Sequence, residues 1–129
     1  MQKSVIKLAL TGLVVLTSLA WNGVVAKEMA MPSVNATVTV TQLPVQGRET
    51  YQRIQQGGPF PYEKDGMVFG NRERLLPPEK RGYYREYTVK TPRSRDRGAR
   101  RIVCGGPATT PEACYYTADH YASFRKIVP

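Results

Sequence analysis

Gly47-Arg48-Glu49-Thr50-Tyr51-Gln52-Arg53-Ile54-Gln55-Gln56, closed by Gly57-Gly58-Pro59, decides the architecture. Helix formers fill the first ten positions, with Val45, Tyr51 and Ile54 as sparse apolar anchors, and the Gly-Gly-Pro triplet is a firm stop. It is the only stretch that reads as a helix of any length. Upstream, Val34, Ala36, Val38 and Val40 alternate with Asn35, Thr37, Thr39 and Thr41, the period of a strand with one buried face, ended by Leu43-Pro44. Downstream the chain reads as strands and turns. Met67-Val68-Phe69 follows the Asp65-Gly66 turn, and Gly82 to Lys90 places Tyr83, Tyr87 and Val89 on one face and Tyr84, Glu86 and Thr88 on the other. Arg100 to Cys104, Cys114 to Thr117 and His120 to Ile127 are further strand candidates. One helix followed by consecutive short strands predicts an α+β domain, the helix on one face of a small antiparallel sheet. The other face is then open to hold a site.

The N-terminus stands apart from that pattern. Lys3 and Lys7 precede an uncharged, mostly apolar run from Leu8 to Leu19, and Val24-Val25-Ala26 supplies the small residues of a cleavage site. This is the layout of a secretory signal peptide over residues 1–26, and the run is short for a bilayer span, which needs about 20 residues. The expectation is one secreted, monomeric domain over residues 27–129, extracellular or periplasmic, with no stable membrane association once the signal is removed. Its loss takes two lysines and no acid, lowering the net charge from the +9 of the whole chain. A strongly basic remainder favours polyanionic partners. In an oxidising compartment Cys104 and Cys114 form a disulfide by default, and the intervening Gly105-Gly106-Pro107 and Thr110-Pro111 read as a hairpin loop stapled at its base. Two cysteines and one histidine without ligand spacing predict no metal site.

Glu86, His120 and the arginines at 93, 95, 97, 100 and 101 are commonplace when taken singly. Together they form a complete set for phosphodiester transfer in RNA: a base for the 2′-OH, an acid for the departing 5′-oxygen, and fixed cations where charge grows on the phosphorane. Because the nucleophile is already in the substrate, no metal or other cofactor is expected.

Several motifs in register sharpen this. Gly58-Pro59-Phe60-Pro61-Tyr62, Asp65-Gly66 and Phe69-Gly70-Asn71-Arg72-Glu73 resemble the guanine-binding half of the microbial guanyl-specific ribonucleases, the barnase-related family, and are nearest its small guanyl ribonucleases. Gly82 to Val89, Thr91-Pro92, Arg97 to Ile102 and Tyr115 to Phe124 resemble the catalytic half in order and spacing, so the similarity runs from about Thr39 to Ile127. The resemblance implies the microbial ribonuclease fold, Glu86 as general base, His120 as general acid, and Arg97 and Arg101 as phosphate clamps. It further implies that Glu73 reads guanine, that backbone N–H groups of Asn71 and Arg72 meet guanine O6, that Phe69 lies beside the base, and that Tyr121 lies beside the phosphate. The expected activity is cleavage of single-stranded RNA 3′ of guanosine through a 2′,3′-cyclic phosphate, with an acidic, barstar-like inhibitor as a further possible partner; the alternative is a non-catalytic basic RNA-binding protein.

Gly70 departs from relatives that carry a larger side chain there, and the Cys104–Cys114 loop looks like an insertion near the catalytic strands. His120 shares parity with Ala122 and Phe124, so either it precedes the regular strand or a bulge re-aims it.

Overall fold

A computed structural model of the chain describes residues 34–129. The signal peptide expected over residues 1–26 and the lead-in to residue 33 lie outside the described residues. The elements, in chain order, are β1 (Thr37–Thr39), a 3-10 turn (Val40–Gln42), α1 (Val45–Gln56), β2 (Met67–Val68), β3 (Tyr84–Thr88), β4 (Arg101–Gly105), β5 (Ala113–Thr117) and β6 (Arg125–Val128). The strands form one six-stranded sheet in the order β1-β6-β5-β4-β3-β2. All neighbours are antiparallel except β1 and β6, which run parallel. No described helix is long and apolar enough to cross a membrane.

The expected strand over residues 34–41 is cut to three residues because Thr39, its last paired residue, caps the 3-10 turn that follows. Its hydroxyl accepts from the Gln42 N–H while the Gln42 side chain accepts from the Thr39 N–H. The helix begins two residues earlier than its formers suggest, at Val45 after Pro44. It ends as expected: Gly57 takes a left-handed φ of 81°, and the N–H groups of Gly57 and Gly58 satisfy the carbonyls of Ile54 and Arg53.

Strand parity divides the interior into two cores. On the helix side, Val38, Leu43, Ile54, Tyr87, Val89, Ile102 and Ile127 pack together, and the buried Thr50 hydroxyl donates to the Thr88 carbonyl at 3.1 Å, tying α1 to β3. The other face is only partly open. Leu76, Tyr84, Val103, Tyr115 and Phe124 close its centre as a second core, and Tyr83, outside β3, packs edge-on against Tyr84 rather than joining Tyr87 and Val89. The Cys104–Cys114 disulfide joins directly opposed residues of β4 and β5, and both cysteines pack in the helix-side core. Glu86 has the opposite parity, so the staple braces the sheet from behind the site. The loop beyond it is tethered by a hydrogen bond from the Tyr83 hydroxyl to Glu112 at 2.6 Å.

Candidate active site

Glu86 lies mid-strand in β3, opposite Val103 of β4 and Met67 of β2. One carboxylate oxygen accepts from Arg97 Nη2 at 3.0 Å and the other from the Tyr121 hydroxyl at 2.5 Å. Each oxygen keeps a further lone pair for a proton to be taken from a substrate. Burial and the bond to Glu86 push the Tyr121 phenol up to about 12, so it stays a donor at neutral pH. Arg97 is aimed from its other side, its Nε donating to the buried Thr88 hydroxyl at 2.9 Å.

The arginine-rich loop sorts its own cations. Arg93 and Arg95 are exposed, whereas Arg97 turns in and Arg101 is only 3% exposed. The turn is shaped by Asp96, which accepts from the Ser94 hydroxyl and the Gly98 N–H; the Ser94 bond first, then the Gly98 bond, hold its carboxyl below the usual range. Gly98 has φ 64°, and a Cβ there would stand 2.5 Å from the Thr91 hydroxyl, so only glycine fits. Arg101 Nη1 donates to the carbonyls of Arg97, Gly98 and Arg100, its guanidinium carbon stands 6.0 Å from the centre of the Tyr121 ring, and its buried Nε has no partner among the described residues. A buried guanidinium with a spare donor and no anion is costly unless an anion arrives.

His120 precedes β6 and does not belong to it, so the expected strand from His120 to Ile127 shrinks to Arg125–Val128. The parity conflict disappears because His120 and Tyr121 both have left-handed φ, 52° and 70°, which swings the imidazole away from the alternation that carries Phe124 into the core. The His120 N–H is anchored to the Ala99 carbonyl at 2.9 Å. A carboxylate clamp holds the rest of the turn. Asp119 Oδ1 accepts from the Thr117 hydroxyl and the Ser123 N–H, and Oδ2 from the Ser123 hydroxyl. The Thr117 oxygen in turn accepts from the Tyr121 N–H at 3.2 Å. The Ser123 hydroxyl above all holds Asp119 below the usual carboxylate range. A depressed folded-state value means that the clamp's stability is present above the unfolded value and is lost as pH falls through the folded one. Asp119→Asn is therefore expected to cut turnover roughly tenfold, short of the ~10²-fold of a 1 Å misplacement. It should also flatten the acid-side fall in melting temperature; equal turnover at pH 7 would show that the clamp does not position His120.

The loop expected to bind guanine is preorganised. Asn71 has φ 49°, its amide nitrogen donates to the Leu76 carbonyl at 2.9 Å, and its amide oxygen accepts from the Leu76 N–H at 3.1 Å. These two bonds tie the Asn71 side chain to Leu76 and hold the loop backbone at Asn71 in place. Phe69 stacks against Tyr121, ring centres 4.9 Å apart. Glu73 is exposed and its carboxylate has no hydrogen-bond partner among the described residues. Phe69, Asn71, Arg72, Glu73, Glu86, His120 and Tyr121 all line one cavity of about 430 Å³, while Arg97 and Arg101 reach it through Glu86 and Tyr121. Thr88, Thr117, Asp119 and Ser123 escaped the sequence reading. The Thr-x-Asp and Asp-x-x-x-Ser spacing was the available signal, since such side chains bond to nearby backbone. No group of three or more metal-ligating side chains forms among the described residues.

Residues 26–128 match the family model described as ribonuclease. The chain is 56% identical over 90 residues to guanyl-specific ribonuclease Sa3 of Kitasatospora aureofaciens, covering 70% of this chain and 62% of that protein. It is 52% identical over 91 residues to guanyl-specific ribonuclease St of Saccharopolyspora erythraea, covering 70% of this chain and 86% of that protein. A structure of ribonuclease Sa2 in complexes with mononucleotides superposes with a TM-score of 0.68 at 49% identity, over 73% of this chain and 94% of that one. Another, of ribonuclease Sa2 with guanosine-2′-cyclophosphate, gives a TM-score of 0.66 at 48% identity, over 73% and 96%. On its sequence, its fold and the set of side chains gathered in this cavity, the chain belongs to the ribonuclease family, among the guanyl-specific ribonucleases.

Proposed function

We infer that this chain is an endoribonuclease that cleaves single-stranded RNA on the 3′ side of guanosine. The observation that carries the reading is that Glu86, held by Tyr121 and Arg97, shares one cavity with His120 and with the unpaired carboxylate of Glu73. Guanine presents N1–H and N2–H₂ side by side, and the Glu73 carboxylate accepts both, while the N–H groups of Asn71 and Arg72 meet O6 and Phe69 flanks the ring. Adenine has an acceptor at N1 and leaves Glu73 unpaired. Reading that edge requires an unpaired base, hence a single strand.

Glu86 takes the proton from the 2′-OH, O2′ attacks phosphorus, and the P–O5′ bond breaks as His120 delivers a proton to O5′. The product is a 2′,3′-cyclic phosphate and a strand with a free 5′-hydroxyl. In the second step His120, now neutral, takes a proton from water, the hydroxide adds to phosphorus, and the P–O2′ bond breaks as Glu86 returns its proton to O2′, leaving a 3′-phosphate. Arg97 and the spare Nε of Arg101 stabilise the charge that builds on the phosphorane oxygens. The charged start and apolar run of residues 1–26 support secretion, and the basic cleft suits an acidic protein inhibitor.

An oligonucleotide carrying one 2′-deoxyguanosine among riboguanosines tests the chemistry. Cleavage is expected after every riboguanosine, with cyclic-phosphate ends and full activity in chelator, and none at the deoxy position. A cut at 2′-deoxyguanosine would refute the mechanism, and salt-sensitive binding without any product would favour a non-catalytic polyanion binder.

A further inference from the structure

The Asp65-Gly66 turn does more than introduce β2. That strand pairs Met67 with Glu86 and Val68 with Arg85, so the next position of the ladder sets residue 65 opposite Thr88. The chain enters the ladder only after that position. Gly66, at φ 85°, donates its N–H to the Glu86 carbonyl at 2.7 Å, whereas Asp65 still belongs to a turn, its N–H bound to the Tyr62 carbonyl at 3.0 Å. The Thr88 N–H is therefore met by a side chain in place of a strand carbonyl. Asp65 Oδ1 accepts it at 2.7 Å, while Oδ2 accepts from the Tyr62 N–H at 3.2 Å. A carboxylate on a backbone N–H makes a charge-assisted bond, stronger than the ladder bond it replaces.

Thr88 is where the edge turn, the helix and the arginine loop converge. It is 2% exposed, and each of its polar atoms is engaged. Its N–H donates to Asp65, its carbonyl accepts from the Thr50 hydroxyl at 3.1 Å, and its hydroxyl oxygen accepts from Arg97 Nε at 2.9 Å. Glu86, two residues back along β3, projects from the same face. One guanidinium spans the two, with Arg97 Nε on Thr88 and Nη2 on Glu86 at 3.0 Å. The planar fork of arginine fixes the separation of these donors, so the Thr88 hydroxyl sets where Arg97 stands beside Glu86. Asp65 itself does not line the cavity, and no cation pairs with it among the described residues.

We propose that Asp65 is a positioning residue of the phosphate clamp: its carboxylate fixes Thr88, and the Thr88 hydroxyl fixes Arg97 where charge develops on the phosphorane. The inference rests on the reading of Glu86 and Arg97 as catalytic groups. It gives a residue outside the cavity a share in transition-state stabilisation, so its loss falls on kcat and leaves KM nearly unchanged.

The test measures kcat and KM on GpA for Asp65→Ala, Thr88→Val and Thr88→Ser, each alone and combined with Arg97→Ala, below every melting transition. Asp65→Ala and Thr88→Val are each expected to lower kcat about tenfold, short of the ~10²-fold of a 1 Å misplacement. Thr88→Ser keeps the hydroxyl and should stay within about twofold. A purely packing role for Thr88 gives the reverse order, because valine keeps the methyl group and serine deletes it. Once Arg97 is removed nothing is left to aim, so Asp65→Ala and Thr88→Val should then lower kcat less than about twofold further. Where Asp65→Ala does not fold, Asp65→Asn, with one acceptor oxygen left for two N–H groups, carries the same comparison at about threefold. Equal factors in the two backgrounds, or serine worse than valine, would overturn the positioning role and leave the active-site reading intact. An Arg97→Ala variant with wild-type kcat would overturn that reading and the inference with it.

Discussion

His120→Ala is expected to lower RNA cleavage by about 10²- to 10⁴-fold, the range for losing a positioned general acid. The side chain is exposed and its backbone is held independently, by the N–H bond to Ala99 and by the Asp119 clamp, so the variant should fold normally. The loss should depend on the leaving group. A nucleoside 5′-oxygen is a poor leaving group that needs protonation, whereas a guanosine 3′-nitrophenyl phosphate expels an anion stable without it. Wild type and variant should therefore differ far less on the nitrophenyl ester than on GpA. An equal loss on both substrates would remove His120 from the role of acid and leave it as a binding residue.

Glu73→Ala should abolish guanine preference more than it abolishes catalysis. Two charge-assisted hydrogen bonds to a guanine edge contribute about 1.5–3 kcal/mol each, so kcat/KM for GpA should fall by 10²- to 10⁴-fold. Cleavage after adenosine, which gains nothing from the carboxylate, should stay near its wild-type level. Glu73 is exposed and unpartnered in the free protein, so its removal leaves no orphaned partner and no cavity, and thermal stability should barely change. Glu73→Gln should fall between the two, since its amide retains one acceptor but turns an N–H₂ toward a donor. A variant that keeps its preference for guanosine within about threefold would shift base reading to the backbone of Asn71 and Arg72 alone.

Where the chain and the fold agree, the signals were local. Gly57-Gly58-Pro59 stops the helix because a left-handed cap needs glycine, and the alternation from Tyr84 to Thr88 separates Glu86 from Tyr87 because strand side chains have period two. Where they part, distant contacts decide. The parallel pairing of β1 with β6 joins residues far apart in sequence and has no local trace. Closure of the second sheet face depends on Leu76 and Phe124 arriving from irregular segments.

The residue types of the chemistry were legible in the chain by themselves: one imidazole, a strand carboxylate, clustered guanidiniums and a loop matching the guanine-binding motif. Their identities are a matter of covalent sequence, and the alternation of the strand puts Glu86 on the face away from the helix. Only the tertiary structure decided which arginines turn inward and where His120 points. Arg101 is buried and Arg95 exposed because the turn around Asp96 and Gly98 assigns them opposite sides. His120 joins Glu86 because two consecutive left-handed residues, held by Thr117, Asp119 and Ser123, break a periodicity that would have aligned it with Phe124. Positive φ at non-glycine residues is sustained by surrounding contacts rather than by propensity, so it becomes visible only once the fold has assembled.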